Sequence, residues 1–142
     1  DMVATDHFSC FREEKEVGIW DAPSGVPGVE TMVPLMLSLG VNEGRLTLRR
    51  ACEVLSTNAA KVFGIYPNKG SLQVGTDADL TIVDLKATKR ITADDLHYRV
   101  GWTPYEGMTV RGLPVATVVR GKVVARDGEF IGRNRPAVYL KR

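Results

Sequence analysis

The stretch "VATDHFSCF", Val3 to Phe11, runs a short apolar segment directly into Asp6 and His7. A carboxylate beside an imidazole at the end of a buried strand can carry a proton to and from a reacting group, and α/β barrels place their chemistry at that end of their strands. The same residues equally suit an ordinary strand whose aspartate caps the next turn. Taken alone they leave both readings open. Other reactive side chains are sparse: His7 and His97 are the histidines, Cys10 and Cys52 the cysteines. The chain therefore cannot by itself assemble a His-rich metal centre or a disulfide framework. With no C-x-x-C pair, a reducing, cytoplasmic setting is expected. Asp77 and Asp79 in "GTDADL" are expected to satisfy turn N–H groups rather than bind calcium, because an EF-type loop needs more oxygen ligands.

The elements that must position these groups fall into two regions. Thr31 to Leu39 repeats apolar residues at helical spacing, with Pro34 tolerated in the first turn and Gly40 expected as the stop. A second helix is predicted from Thr47 to Leu55, with Thr47 as N-cap and Leu48, Cys52 and Leu55 along one face, which makes Cys52 a core residue. A short third helix is predicted in "STNAAKVFGI", ended by Gly64. Between the opening strand and the first helix, "REEKEVGIWDAPSGVPGVE" reads as a long loop of the kind that is commonly functional. Beyond Pro67 the periodicity changes. A strand is predicted near Ser71, a stronger one from Leu80 to Asp84, a helical turn from Thr92, and a hairpin of Val115 to Val119 and Lys122 to Ala125 about Arg120-Gly121. Asp127-Gly128 offers a further turn, and a basic irregular tail begins at Arg133.

With 142 residues, 44% hydrophobic and 25% charged, the chain suits one modest core but is too short for a complete TIM barrel of about 250 residues. Its 19 basic residues barely exceed its 17 acidic ones and do not cluster with aromatics, so neither nucleic acid nor an anionic membrane is an expected partner. Apolar runs are far short of the ~20 residues of a membrane span, and no signal peptide is expected before Asp1.

"TDH" at 5–7, "APSGVPGVE" at 22–30, "STNAAKVFG" at 56–64, "KGSLQVGTDADLTIVD" at 69–84, "TPYEG" at 103–107 and "TVVRGKVVARDGEF" at 117–130 together resemble the C-terminal third of the cyclic amidohydrolases. These are the hydantoinases, dihydropyrimidinases, allantoinases and dihydroorotases. The resemblance covers nearly the whole chain. It implies an α/β fragment: residues 1–66 as the last strand, substrate loop and helices of a TIM-barrel metal-dependent hydrolase, and residues 67–142 as part of a small β-sandwich assembled from both ends of the full chain. It also implies two divalent metals, usually zinc, at the barrel mouth. Asp6 matches the aspartate that contacts the more buried metal and shuttles a proton between a bridging hydroxide and the leaving nitrogen. This is work suited to a carboxylate kept ionised beside a dication. His7, pointing to the opposite face of the strand, is assigned to structural support. The backbone at Pro23, Ser24 and Gly25 matches the segment that pairs with the N–H and C=O groups of the cyclic substrate, with glycine allowing close approach.

Departures from the pattern carry information too. Dihydroorotases commonly have a histidine four residues after the aspartate, to meet a substrate carboxylate; here that position is Cys10, which is similar to allantoinases, although hydantoinases and dihydropyrimidinases tolerate small residues in this loop too. The family's other metal ligands, four histidines and a carboxylated lysine, match no residue of this chain. One aspartate cannot replace a catalytic zinc's usual three or so protein ligands. The 142 residues are therefore expected to hold no metal alone and to be inert until joined to the missing N-terminal barrel part. The implied reaction is hydrolysis of a C–N bond in a small cyclic amide of the hydantoin, dihydropyrimidine or allantoin type, with dihydroorotate as a third choice. The competing expectation is a non-catalytic dihydropyrimidinase-like scaffold or oligomerisation module. Ala59 and Ala60 are expected to allow close helix packing, Val62 and Phe63 to fill core, and Trp102, Tyr105 and Glu106 to serve core and turn. Apolar faces left uncovered imply self-association or a complementary chain.

Overall fold

Two local signals set up the sheet: alternating β-branched residues, and dipeptides able to take left-handed backbone geometry. In the computed structural model, which describes residues 1–132 and 138–140, they form β1 (Leu80–Arg90), β2 (Thr109–Val119), β3 (Lys122–Arg126) and β4 (Glu129–Phe130). The order is β1-β2-β3-β4, antiparallel throughout. Both predicted turns are present. Arg120 and Gly121 have φ of 49° and 75°, and Asp127 and Gly128 have 49° and 89°. Paired positive φ values match the right-handed twist of the strands they join. Arg120 is an unusual residue for such a turn, and the turn is braced from outside. Its N–H donates to Asp79 Oδ1 at 2.7 Å, and Gly121 N–H donates to the Ala78 carbonyl at 2.9 Å. Asp79 thus satisfies a turn N–H as expected. Unforeseen is Lys69, whose ammonium sits between Asp77 and Asp79. Its hydrogen bond to Asp79 raises the Lys69 pKa and lowers that of Asp79.

β1 and β2 are longer than predicted because irregularities that look like strand ends are absorbed. Between Asp84 and Thr88 the register shifts, and Asp84 Oδ1 accepts the N–H groups of Lys86 and Ala87 at 2.8 and 3.2 Å, replacing the missing ladder bonds. The strand predicted near Ser71 is not there. Ser71 Oγ donates to the Pro67 carbonyl and Thr76 Oγ1 to that of Gln73, local bonds that compete with a ladder.

The helices depart from prediction in similar ways. α1 (Arg12–Lys15) is a single turn in the long loop. α2 (Met32–Leu35) continues as a π-helical stretch, Met36–Asn42, so Gly40 does not end it. A Cβ at Gly40 would lie 3.1 Å from Leu46 Cδ1; glycine serves close packing there, and the chain turns at Gly44, whose φ is 74°. α3 (Leu48–Cys52) starts as predicted, with Thr47 accepting the Arg50 N–H. It then runs without a break through Glu53–Thr57 into α4 (Asn58–Val62), so the second and third predicted helices are one. The Ser/Thr/Asn cluster does not cap because its side chains are used elsewhere. Thr57 Oγ1 donates to the Gly70 carbonyl at 2.7 Å, and Asn58 Nδ2 to that of Asp1 at 2.6 Å. Gly64, with φ of 70°, ends the run as expected.

The core includes Leu37, Ile91 and Val110, where α2 and its π-helical continuation meet β2, and Ala51, Val54 and Ala60 on the inner side of the α3–α4 run, which packs against that continuation and the Gly70 segment rather than the sheet. A Cβ on Gly112 would lie 2.7 Å from Leu37 Cβ, so only glycine lets β2 come this close. The seam is also stitched by polar groups. Asn42 Nδ2 donates to the carbonyls of Leu37, Leu85 and Arg111, and Arg111 N–H donates to Ser38 Oγ. Ala60 packs closely as expected: a Cβ on Gly70 would sit 2.6 Å from its methyl. Cys52 is exposed, as are Val62 and Phe63, contrary to the core roles assigned to them. Helical spacing tells which residues share a face but not which of two apolar faces packs against the rest of the chain. Here the small Ala51–Ala60 face is inward, because it permits the closer approach. Among the described residues no helix is long and apolar enough to cross a membrane. The tail beginning at Arg133 lies largely outside the described residues.

Candidate active site

The opening segment is not a strand of the sheet. A single parallel bridge joins His7 to Val26, with Phe8 N–H donating to the Val26 carbonyl at 3.1 Å. Residues 3–6 have no neighbouring strand among the described residues, and extended backbone becomes a strand only with a partner to complete its ladder. What the segment does have is an abrupt change of backbone at Asp6, whose φ is 46°. Few residues other than glycine adopt this conformation, aspartate being among the more tolerant. The Asp6 side chain is exposed. Among the described residues its carboxylate has no hydrogen-bond or ion-pair partner.

The long loop lies directly on this kink. Gly25 has φ of 80°, and a Cβ there would be 2.4 Å from the Asp6 carbonyl oxygen and 2.9 Å from Phe8 Cβ. Two of the residues singled out by sequence, Asp6 and Gly25, are thus in direct contact. Ser24 is exposed beside them and Pro23 half-buried. The Pro23 carbonyl already accepts a hydrogen bond from the Lys15 ammonium. Among the described residues the Ser24 and Gly25 N–H groups donate no hydrogen bond.

His7 supports the loop, in the role assigned to it. Its Nδ1 accepts the N–H groups of Gly28 and Val29 at 3.0 and 3.2 Å, and Nε2 lies 2.9 Å from Ser9 Oγ. A nitrogen that accepts carries no proton, so the ring is the Nε2–H tautomer donating to Ser9. The next amide, Glu30 N–H, donates to Tyr98 Oη at 2.7 Å. The Glu30 carboxylate takes the backbone N–H of His97 at 2.9 Å and meets its ring Nδ1 at 3.0 Å. Sequence reading missed Glu30, His97 and Tyr98, and no spacing could have revealed contacts between segments so far apart.

Charge makes this last pair respond to pH. The hydrogen bond to Glu30 and the attraction of its carboxylate raise the His97 pKa above the ordinary 6.5; Glu129 adds weakly in the same direction and Lys89 opposes. A raised histidine pKa means that the tether contributes fully below the unfolded value and is lost as pH rises through the folded one. A titration of the His97 ring by NMR is expected to show a midpoint above 6.5, returning toward it in Glu30→Gln. An unshifted midpoint in the native protein would rule the tether out.

Cys10 is 2% exposed, and its carbonyl accepts the Trp102 indole N–H at 2.8 Å. Its thiol is buried. Trp102 is half-buried and acts as a hydrogen-bonding tether rather than as the core residue expected, while Glu106 takes the turn role by accepting Ala93 N–H. No group of three or more His, Cys, Asp or Glu side chains that could hold a metal occurs among the described residues. One exposed carboxylate does not make a metal site.

The family model described as "Amidohydrolase family" matches residues 1–124, most of the chain and all of this site. The chain belongs to the amidohydrolase family. Among its curated relatives, an L-hydantoinase of Paenarthrobacter aurescens is 47% identical over 92% of the chain and 29% of its own length. A dihydroorotase of Methanothermobacter thermautotrophicus is 43% identical over 97% of the chain and 32% of its own length. Among solved structures, a D-hydantoinase (dihydropyrimidinase) from Thermus sp. superposes with a TM-score of 0.88 at 38% identity, covering 94% of this chain and 30% of that one. The chain spans about a third of the length of these amidohydrolases, corresponding to their C-terminal region, and its helices and antiparallel sheet match part of the hydantoinase fold. Overall similarity does not separate hydantoinases from dihydroorotases here. With Cys10 buried, that residue does not separate them by direct contact either.

Proposed function

We propose that this chain is the C-terminal part of an enzyme that hydrolyses the C–N bond of a small cyclic amide of the hydantoin, dihydropyrimidine or allantoin type. In this reading residues 1–66 complete the catalytic barrel and 67–142 belong to the β-sandwich. Asp6 takes a proton from the attacking water and returns it to the leaving nitrogen, and the backbone of the Pro23–Ser24–Gly25 turn pairs with the ring, chiefly through Ser24 and Gly25 because the Pro23 carbonyl is occupied by Lys15. The observation that carries the reading is the unpartnered Asp6 carboxylate, held at a left-handed kink with Gly25 seated against its carbonyl. A carboxylate kept at a costly backbone conformation, with no structural partner of its own, is suited to a reacting group. The relatives' hydantoinase names agree with this substrate class. Two divalent ions, usually zinc, accompany this activity in the family; Asp6 alone would not hold them, and the other ligands would come from the N-terminal barrel part.

The N-terminal barrel part is the proposed partner. Without it, Trp20 and Val62 stand exposed, and an apolar groove of about 450 Å³ stays open between the start of α2 and the sheet, lined in part by Pro34, Ile91, Val110 and Leu113. The test is a ring-opening assay of the intact, zinc-loaded protein against hydantoin, dihydropyrimidine, allantoin and dihydroorotate. Turnover of one of the first three is expected. Turnover of dihydroorotate alone would replace the substrate class, and turnover of none would favour a non-catalytic scaffold.

A further inference from the structure

Three consecutive amides, Gly28, Val29 and Glu30, follow the Pro23–Gly25 turn, and each is held by a side chain from outside the loop. His7 Nδ1 takes the first two and Tyr98 Oη takes the third. The two anchoring rings touch, with centroids 5.2 Å apart and planes tilted by 46°. Tyr98 is in turn kept in place by its neighbour His97, clamped through both ring and backbone by the Glu30 carboxylate. His7 is also the peptide neighbour of Asp6, so the residue whose imidazole holds the loop amides is bonded directly to the proposed proton carrier. The geometry points to His7 and Tyr98 as positioning residues, a brace that fixes the loop relative to Asp6. Neither touches the reacting atoms. The brace rests on the hydrolase reading for its purpose, though not for its existence.

The arrangement has a chemical logic. A loop of glycine and proline has few side chains with which to hold its own shape, and its amides must be satisfied or lost to water. Borrowing two acceptors from fixed rings sets the loop's height above Asp6, and a shift of about 1 Å in such a segment can cost about 100-fold in rate. Asparagine at position 7 can place its Oδ1 where the imidazole has Nδ1, whereas alanine offers no acceptor.

In the intact enzyme, His7→Ala is expected to lower kcat/KM per folded molecule about 100-fold, with KM raised, and His7→Asn is expected to recover most of the loss. Tyr98→Phe, which removes the acceptor for Glu30 N–H, is expected to raise KM about tenfold, the equivalent of one hydrogen bond. Hydrogen exchange at residues 28–30 is expected to accelerate in His7→Ala and Tyr98→Phe but not in His7→Asn. If His7→Ala reduces only the amount of folded protein and leaves KM unchanged, or if His7→Asn is as impaired as His7→Ala, the brace is overturned. Should His7→Ala fail to fold, an unchanged KM in Tyr98→Phe overturns it instead. Exchange keeps the two ideas apart. An inactive wild type with accelerated exchange in Tyr98→Phe overturns the hydrolase reading and supports the brace; an active wild type whose variants show unchanged KM and exchange does the reverse.

Discussion

Replacing Asp6 by asparagine in the intact enzyme is expected to lower kcat by about 10²–10⁴-fold, the range for removal of a general acid–base group, with KM and melting temperature little changed. Stability should hold for two reasons. Among the described residues the Asp6 side chain makes no hydrogen bond or ion pair whose loss would cost stability. Its φ of 46° suits asparagine about as well as aspartate. Alanine would be the poorer probe, since it adds backbone strain to the loss of the carboxylate and lets a folding defect pass for a chemical one. Steady-state kinetics with thermal melting decide the matter. A loss of kcat below about tenfold would remove Asp6 from the proton-carrying role, because such a step is worth at least about 10²-fold.

Gly25→Ala is expected to cost about 1–3 kcal/mol from its left-handed backbone alone, and to lose about 100-fold in kcat/KM as the loop is pushed off the Asp6 kink. The new methyl would need to occupy space 2.4 Å from the Asp6 carbonyl oxygen. That atom belongs to the backbone and cannot rotate away as a flexible side chain would. The loop must therefore rise or the kink must flatten, and either change moves the proposed substrate face relative to the carboxylate. Gly44→Ala is the control. Gly44 also has a positive φ, 74°, but a Cβ there meets nothing within 4 Å. It should lower the melting temperature through backbone strain while kcat/KM stays at the wild-type value. Equal kinetics for the two variants would mean that contact between Gly25 and Asp6 has no part in the reaction.

Features written in neighbouring residues were legible in the sequence. Thr47 caps α3, Gly64 ends α4, and Arg120-Gly121 and Asp127-Gly128 make tight turns, because each depends on the chemistry of a few adjacent groups. The prominence of Asp6, and the support role of His7, could be read from the "TDH" stretch and its resemblance to cyclic amidohydrolases. The misreadings share a cause. Gly40 and the Ser56–Asn58 cluster carry good stop and cap signals, but Leu46, Gly70 and Asp1 occupy those residues from a distance. Cys52, Val62 and Phe63 lie outside the core that helical spacing predicts for them because spacing cannot say which side of a helix the rest of the chain will cover. The strand near Ser71 failed because hydroxyls next to a backbone can satisfy it without a partner.

By itself, then, the sequence determined the family, the candidate carboxylate, the loop beside it and the turns of the sheet. Only the tertiary structure decided that Asp6 sits at a kink under Gly25, that Cys10 is buried, and that His7 and Tyr98 hold consecutive amides of the loop. The bonds from the loop amides to His7 and Tyr98 join residues 21 to 68 positions apart. A hydrogen bond over such a separation depends on where two segments are carried by everything folded between them, and no local pattern encodes that.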